Sequence, residues 1–91
     1  MGSERSVAGA IVDSWIERAG IPGDPRRVVL QVAPRGKPRE LVIVEVASNL
    51  IPDRYWLEDL GENLCHGSPV SASGWMTQGG LLNATQVQLA R

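Results

Sequence analysis

The sequence is poor in the residues that disulfides, membrane spans and aromatic cores require. It has one cysteine, one histidine and no phenylalanine in 91 residues. A lone cysteine cannot close an intramolecular disulfide, which secreted domains of this size usually contain, so we expect a cytoplasmic location. No run of residues approaches the roughly 18 apolar residues of a membrane span, and no apolar signal-peptide segment follows the first methionine. We therefore expect no membrane partner.

Catalytic and cofactor-binding patterns are equally scarce. Cys65 and His66 are neighbours in the chain, and adjacent side chains usually diverge, so they do not predict a nucleophile and its base. Structural zinc usually takes four Cys or His ligands, and the sequence contains only these two residues of either type. The chain has neither a Gly-x-Ser-x-Gly elbow nor a phosphate-binding glycine loop. The sequence thus predicts a protein that is not an enzyme, without catalytic, metal-binding or cofactor-binding residues.

Size and charge narrow the possibilities further. A chain of 91 residues is expected to form a single domain over residues 1–91. Such a small domain buries little apolar surface, so a homodimer or a partner protein is a natural additional source of stability. The formal net charge is −1, which excludes a global basic field that would hold nucleic acid. Any such binding must come from a local patch.

The first periodic segment, residues 4–19, is typical of an amphipathic helix. Its apolar residues recur at helical spacing, namely Val7, Ala8, Ile11, Val12, Trp15, Ile16 and Ala19. Ser3 is suited to the N-cap, Gly20 to the residue after the helix, and Pro22 to stopping it. We expect this helix to cover a sheet.

Two segments rich in β-branched residues follow and predict a hairpin. Residues 27–33 and 40–47 are separated by a loop of Pro, Gly and basic residues. Alternation places one set of side chains on the core side, namely Val28, Leu30, Val32, Val42, Val44 and Val46. The opposite faces carry Val29, Gln31 and Ala33 on the first strand and Leu41, Ile43 and Glu45 on the second.

A short helix and a second hairpin complete the expected elements. Helix-entry residues around Pro52 precede Trp56, Leu57 and Leu60 at helical spacing, and Gly61 is expected to end the helix. Residues 65–74 are small and polar, which predicts a loop or a weakly specified strand. Residues 75–78 and 81–89 flank a Gly-Gly pair as the strands of a hairpin do. Alternation favours a strand over 81–89, with a helix as the alternative.

The expected order of elements is therefore α-β-β-α-β-β. The predicted fold class is α+β, with the N-terminal helix packed on a mainly antiparallel sheet of two hairpins. A small open barrel of the same strands with flanking helices is the competing architecture. No segment carries a family signature.

Charged residues are unevenly distributed along the chain. Five of the nine basic residues lie around the first hairpin, namely Arg26, Arg27, Arg35, Lys37 and Arg39. Four acidic residues lie around the second helix, namely Asp53, Glu58, Asp59 and Glu62. Residues 63–90 contain no Asp, Glu, Lys or Arg. This third of the chain is either solvated through the uncharged polar side chains of Ser, Thr, Asn and Gln, or it lies in an interface.

The charge-free segment favours a protein-binding module. Interfaces are depleted in charge and enriched in Trp and Met, so Trp75 and Met76 at an unprotected sheet edge are the expected contacts. The partner would be another protein or a second copy in a homodimer. One form is a stoichiometric inhibitor whose four acidic residues present carboxylates in place of phosphates. In size and charge the chain resembles the inhibitors and immunity proteins of bacteria and phages.

Nucleic-acid binding through the first hairpin is the alternative function. Its five basic residues would contact phosphates, and hairpins can enter a major groove or line the path of a single strand. The net charge and the lack of an aromatic residue within the basic segment weigh against this interpretation. The salt dependence of binding separates the two classes of function.

Overall fold

The computed structural model describes residues 3–17, 26–51, 53–61 and 66–89. In chain order the elements are β1 (Ser3–Glu17), β2 (Arg27–Pro34), β3 (Val42–Ala47), a 3-10 turn (Ser48–Leu50), α1 (Arg54–Gly61), β4 (Pro69–Met76) and β5 (Leu81–Leu89). Strands therefore make up most of the described chain.

The strands form a closed barrel in the order β1-β2-β3-β5-β4. Four pairings are antiparallel, joining β1 to β2 and β4, β2 to β3, and β4 to β5. The pairing of β3 with β5 is parallel, and α1 and β4 lie on the connection that such a pairing requires. β1 closes the barrel because it is long enough to pair twice, through residues 3–10 with β4 and through residues 9–17 with β2.

The prediction of an N-terminal helix is wrong, because this segment is strand β1. Its register against β2 shifts at Val12, the extra residue of a β-bulge. Before the bulge, Val7 and Ile11 face the core. After the bulge, Ser14 is buried and Ile16 packs against the core. The bulge shifts the inward–outward alternation of side chains by one residue midway along β1. The apolar residues of the two halves together therefore recur at the spacing of an amphipathic helix.

The predicted α+β class is therefore wrong, and the competing small barrel fits in part. The barrel is closed rather than open, and its helix joins β3 to β4 instead of flanking the strands. The unprotected sheet edge expected at Trp75 and Met76 is also wrong, since β4 has β1 on one side and β5 on the other. The helix end expected at Gly20 and Pro22 lies outside the described residues.

Both predicted hairpins are confirmed, and the first strand of the second hairpin is longer than predicted. β2 and β3 pair with Leu30 opposite Val44, and the six side chains expected on the core side all pack there. β4 begins at Pro69, so most of the small polar segment, expected to be a loop or a weakly specified strand, is strand. β5 is a strand, as its alternation predicts. A register shift makes Thr85 an extra residue of β5. This extra residue explains why the apolar residues of β5 recur at near-helical spacing.

Helix α1 packs against the barrel core. Asp53 caps its first turn, because the backbone N–H of Trp56 donates to the Oδ1 of Asp53 at 3.0 Å. Trp56 and Leu60 are buried among the strand residues, and the helix ends at Gly61 as predicted. The buried hydroxyl of Ser14 donates to the carbonyl oxygen of Leu60 at 2.8 Å. This hydrogen bond ties the end of the helix to β1.

Gly9 marks the point where β1 leaves β4 and joins β2. It has a strand partner on each side, Val70 in β4 and Pro34 in β2. A Cβ at Gly9 would overlap the carbonyl oxygen of Ala33, so the two backbones approach more closely than a side chain allows. Glycine at this position lets one strand belong to both halves of the barrel.

Candidate nucleic-acid interface

The outer surface of β1, β2, β3 and β5 carries an apolar row that we call the outer stripe. Its members are Trp15, Val29, Ile43 and Leu81. Trp15 lies opposite Val29, and Ile43 lies opposite Leu81. Because Val29 pairs with Glu45, Ile43 is its diagonal neighbour on the same face. The stripe therefore crosses four adjacent strands.

The side chains of the outer stripe shelter one another outside the core. Val29 is only 4% exposed although it does not belong to the core cluster. Trp15, Ile43 and Leu81 are half-buried. An outer face on which an indole and aliphatic side chains lie together offers a surface on which flat apolar groups can stack.

Two polar contacts border the stripe. The indole N–H of Trp15 donates to the Oε1 of Glu17 at 3.2 Å. The Nε of Arg27 donates to the Oε1 of Glu45 at 3.1 Å, and the Arg27 side chain is 55% exposed against 21% for Glu45. The first contact orients the indole ring, and the second leaves a guanidinium accessible to an anion.

The five basic residues predicted to contact phosphate form two groups rather than one. Arg26 and Arg27 lie at the start of β2, whereas Arg35, Lys37 and Arg39 lie in the loop that follows it. At about 3.3 Å per residue, the length of β2 separates the two groups by about 26 Å. The outer stripe crosses β2 at Val29, between them.

The cations of both groups are accessible. The Nζ of Lys37 lies 4.0 Å from the Oε2 of Glu40, and both side chains are largely exposed, so this ion pair holds the lysine weakly. Arg35 and Arg39 are exposed and form no ion pair with any residue that the structure describes. Arg26 is exposed at the other end of β2. These side chains can reach phosphates without breaking a strong contact.

The acidic residues predicted to mimic phosphates lie at α1 and differ in their surroundings. Asp53 is the N-cap described above, Glu58 is exposed and Asp59 is half-buried. Glu62 lies outside the described residues. Because α1 follows β3, this acidic end of the molecule lies away from the loop that carries Arg35.

The other predicted contacts, Trp75 and Met76, point to opposite faces of β4. Trp75 faces outward and is 51% exposed, whereas Met76 packs against the core. Around the β4–β5 hairpin, uncharged polar side chains line a shallow depression of about 220 Å³, among them Ser6, Ser71, Ser73, Gln86 and Gln88. Serine and glutamine side chains of the charge-free segment therefore face outward around this depression.

The histidine lies on the surface beside the β1 bulge. His66 is exposed, and its Nε2 is 3.8 Å from the Oδ1 of Asp13, while Cys65 lies outside the described residues. Within the described ranges, no three His, Cys, Asp or Glu side chains are grouped to hold a metal ion. No helix among these residues has the length and apolar character needed to cross a bilayer.

The sequence alone predicts the exposed basic residues but not the outer stripe. The helical interpretation of residues 4–19 hides Trp15, and Leu81 joins the stripe only through the parallel pairing of β5 with β3. One signal is nonetheless present in the first hairpin, where Val29 and Ile43 alternate with the core valines. A strand that is apolar on both faces needs a cover or a ligand on the second face.

The strand order and the place of the helix match a known architecture. Five strands in the order β1-β2-β3-β5-β4, with a helix between β3 and β4, form the Greek-key barrel called the OB-fold. The chain is similar to the mitochondrial single-stranded DNA-binding protein of S. cerevisiae, with a TM-score of 0.67 and 15% sequence identity, over 100% of this chain and 97% of that chain. No protein-family model and no curated protein sequence matches the chain. We conclude that the chain has the OB-fold.

Proposed function

We propose that this protein binds single-stranded nucleic acid on the outer stripe, with phosphates held by the arginines at the two ends of β2. One observation carries the proposal: Trp15 and its aliphatic neighbours lie on an outer barrel face between two groups of exposed cations. In OB-folds, the face of the second and third strands is where oligonucleotides and oligosaccharides bind.

The structural neighbour supports nucleic acid as the ligand. That protein binds single-stranded DNA and shares this fold over nearly its whole length. The neighbour therefore favours the nucleic-acid alternative over the protein-binding module that the charge-free segment predicts. At 15% identity the likeness establishes the fold alone, and the residues on the outer face of this chain carry the proposal of binding.

The chemistry of the outer stripe suits unpaired bases. A base in a single strand exposes flat faces that can stack on Trp15 and pack against Val29 and Ile43. In a duplex the same faces are already stacked on one another. Stacking of a base on an aromatic side chain contributes about 1–3 kcal/mol and tolerates every base. We therefore expect a preference for single strands with little sequence preference.

Charges on the outer face direct the phosphates to its ends. Asp13, Glu17 and Glu45 lie on this face with Arg27, so its centre does not attract a polyanion. The exposed arginines lie beyond the stripe, at the start of β2 and in the loop after it. Bases are thus expected at the centre and phosphates at the ends.

The substitution Trp15→Ala tests the proposal, with Tyr55→Ala as the control. Both residues are aromatic, but Tyr55 is an exposed side chain on α1, outside the stripe. Binding of a labelled oligodeoxythymidylate of about 15 nucleotides is measured by fluorescence anisotropy at about 50 mM salt. We expect Trp15→Ala to weaken binding about tenfold or more, because it removes a stacking surface. Tyr55→Ala should leave the affinity unchanged, and thermal unfolding verifies that both variants fold.

Two further probes identify the form of the ligand. A duplex of the same length should bind more weakly than the single strand, and an oligouridylate distinguishes RNA from DNA at the same site. Tighter binding of uridylate would make RNA the preferred ligand. Absence of binding by the unmodified chain, equal binding of the duplex, or unchanged affinity of Trp15→Ala would each contradict the proposal.

A further inference from the structure

A groove lies beside the outer stripe, where the loop after β2 folds over β1. It has a volume of about 300 Å³, and its lining includes Ala10, Ala33, Pro34, Arg35, Pro38 and Pro69. Ala33, Ala10 and Pro69 are strand partners across β2, β1 and β4. Small and rigid side chains therefore form its floor, and the wall consists of Pro34 at the end of β2 with Arg35 and Pro38 of the loop.

Backbone hydrogen bonds hold the loop wall of the groove in place. The N–H of Arg35 donates to the carbonyl oxygen of Ala8 at 3.0 Å, and the N–H of Lys37 donates to that of Pro34 at 3.3 Å. Gly36, with a φ of 82°, provides the turn between them. Proline residues add stiffness because their φ is fixed. The groove is therefore formed before any ligand arrives.

The groove combines a flat apolar floor with an accessible cation. Arg35 is exposed and has no ion-pair partner in the part of the chain that the structure describes. A guanidinium can contact a phosphate with two hydrogen bonds or stack on a planar ring. A nucleotide carries both complementary features, a flat base and a phosphate.

We propose that this groove is a second base-binding site, which holds one nucleotide of the strand bound on the outer stripe. The inference rests on the proposed function. Ala33 connects the two surfaces, because it faces outward on β2 in the same alternation as Val29 and Gln31. Along β1, Ala10 lies about 16 Å from Trp15 at about 3.3 Å per residue. A strand that leaves the stripe reaches the groove within a few nucleotides, so the groove extends the site toward β4.

Filling the groove with Ala33→Leu tests this proposal without altering the stripe. Affinities are measured for oligodeoxythymidylates of about four and about eight nucleotides, within the range that one OB-fold occupies. In the unmodified chain, the longer oligomer should bind about tenfold more tightly, because it adds a base contact in the groove. Ala33→Leu should remove most of this gain and leave the affinity for the short oligomer within about twofold.

Two further variants provide a control for the added leucine side chain and an independent test of the groove. Gln86→Leu adds the same side chain at an exposed position of β5 on the opposite outer face, and it should retain the full gain with length. Ala10→Leu fills the floor from β1 and leaves every cation in place, and it should also reduce the gain. Thermal unfolding shows whether each variant folds, and Ala10→Leu tests the groove if Ala33→Leu does not fold.

The outcomes separate this inference from the proposed function. Folded Ala33→Leu or Ala10→Leu protein with the length dependence of the unmodified chain would overturn the groove and leave the outer stripe in place. An unmodified chain that binds neither these oligomers nor the strand of about 15 nucleotides would overturn the proposed function itself. Loss of the length gain in both groove variants, but not in Gln86→Leu, would support the second site.

Discussion

Glu45 places a carboxylate in the middle of the outer face, where it holds the guanidinium of Arg27 at 3.1 Å. The pair is partly exposed, so it contributes at most about 1 kcal/mol to stability. Its larger effect is expected on the ligand, because the carboxylate repels phosphate and competes with phosphate for Arg27. We therefore expect Glu45 to limit affinity on the face that we propose for binding.

Replacing Glu45 with Gln should strengthen binding of single-stranded oligonucleotides by up to about fivefold, because Arg27 loses its competitor. If Arg27 then gains a phosphate, the slope of log affinity against log salt should steepen by about 0.7. Fluorescence anisotropy over a salt series measures both. Glu58→Gln is the control, since Glu58 is an exposed carboxylate on α1, away from the loop that carries Arg35. Weaker binding by Glu45→Gln would mean that Glu45 positions Arg27 for the ligand.

Gly9→Ala should destabilise the protein by about 2–3 kcal/mol, because the added Cβ overlaps the Ala33 carbonyl and forces β1 and β2 apart. Gly36→Ala is the informative comparison. Gly36 has a φ of 82° but open space around it, so alanine there should cost only about 1 kcal/mol of backbone strain. Urea unfolding gives both free energies. Equal losses would show that the barrel accommodates the Cβ at Gly9 without strain.

Among the elements, β1 is the one that local pattern misidentifies. β2, β3, α1 and β5 could be predicted because alternation, capping and turn residues are local signals. β1 could not, because the bulge at Val12 mixes two phases and its partners lie elsewhere in the chain. The same error conceals the position of Trp15 on the outer face. Only the basic residues of the candidate site could therefore be predicted from the sequence. The stripe requires the register of four strands, which no local pattern contains.

The link between β1 and α1 gives a test at the scale of elements. Ser14→Ala should lower the free energy of unfolding by about 1–2 kcal/mol, because the buried Leu60 carbonyl loses the hydroxyl that donates to it at 2.8 Å. Ser6→Ala, on the exposed outer face of the same strand, should change stability by less than about 0.5 kcal/mol. Chemical denaturation distinguishes them. A cost no greater at Ser14 than at Ser6 would mean that packing alone holds the helix.

At the scale of the whole molecule, charge separation explains how a chain of net charge −1 could hold a polyanion. The loop after β2 is basic, whereas the acidic residues near α1 lie beyond the other end of β2. A strand bound along the outer face would meet cations first at the loop. Net charge therefore underestimates the local attraction.

The salt dependence of binding follows from this arrangement. If Arg26, Arg27, Arg35 and Arg39 each contact one phosphate of a single strand, the slope of log affinity against log salt should be about −3. The double substitution of Arg35 and Arg39 by Ala should reduce its magnitude by about 1.4. Arg54→Ala, on α1, should leave the slope unchanged. A slope near zero would contradict phosphate contacts at either group.

The double pairing of β1 also determines how the chain must fold. Ser3 pairs with Met76, and β3 pairs in parallel with β5. The barrel therefore cannot close until β4 and β5 are present. Domains dominated by such distant pairings fold in milliseconds to seconds, more slowly than helical bundles. During synthesis, β1, β2 and β3 emerge first, and their inner valines stay uncovered until β4 and β5 follow. In that interval the inner valines and the outward-facing Trp15, Val29 and Ile43 of the incomplete sheet are open to other chains, which makes it the stage most prone to aggregation.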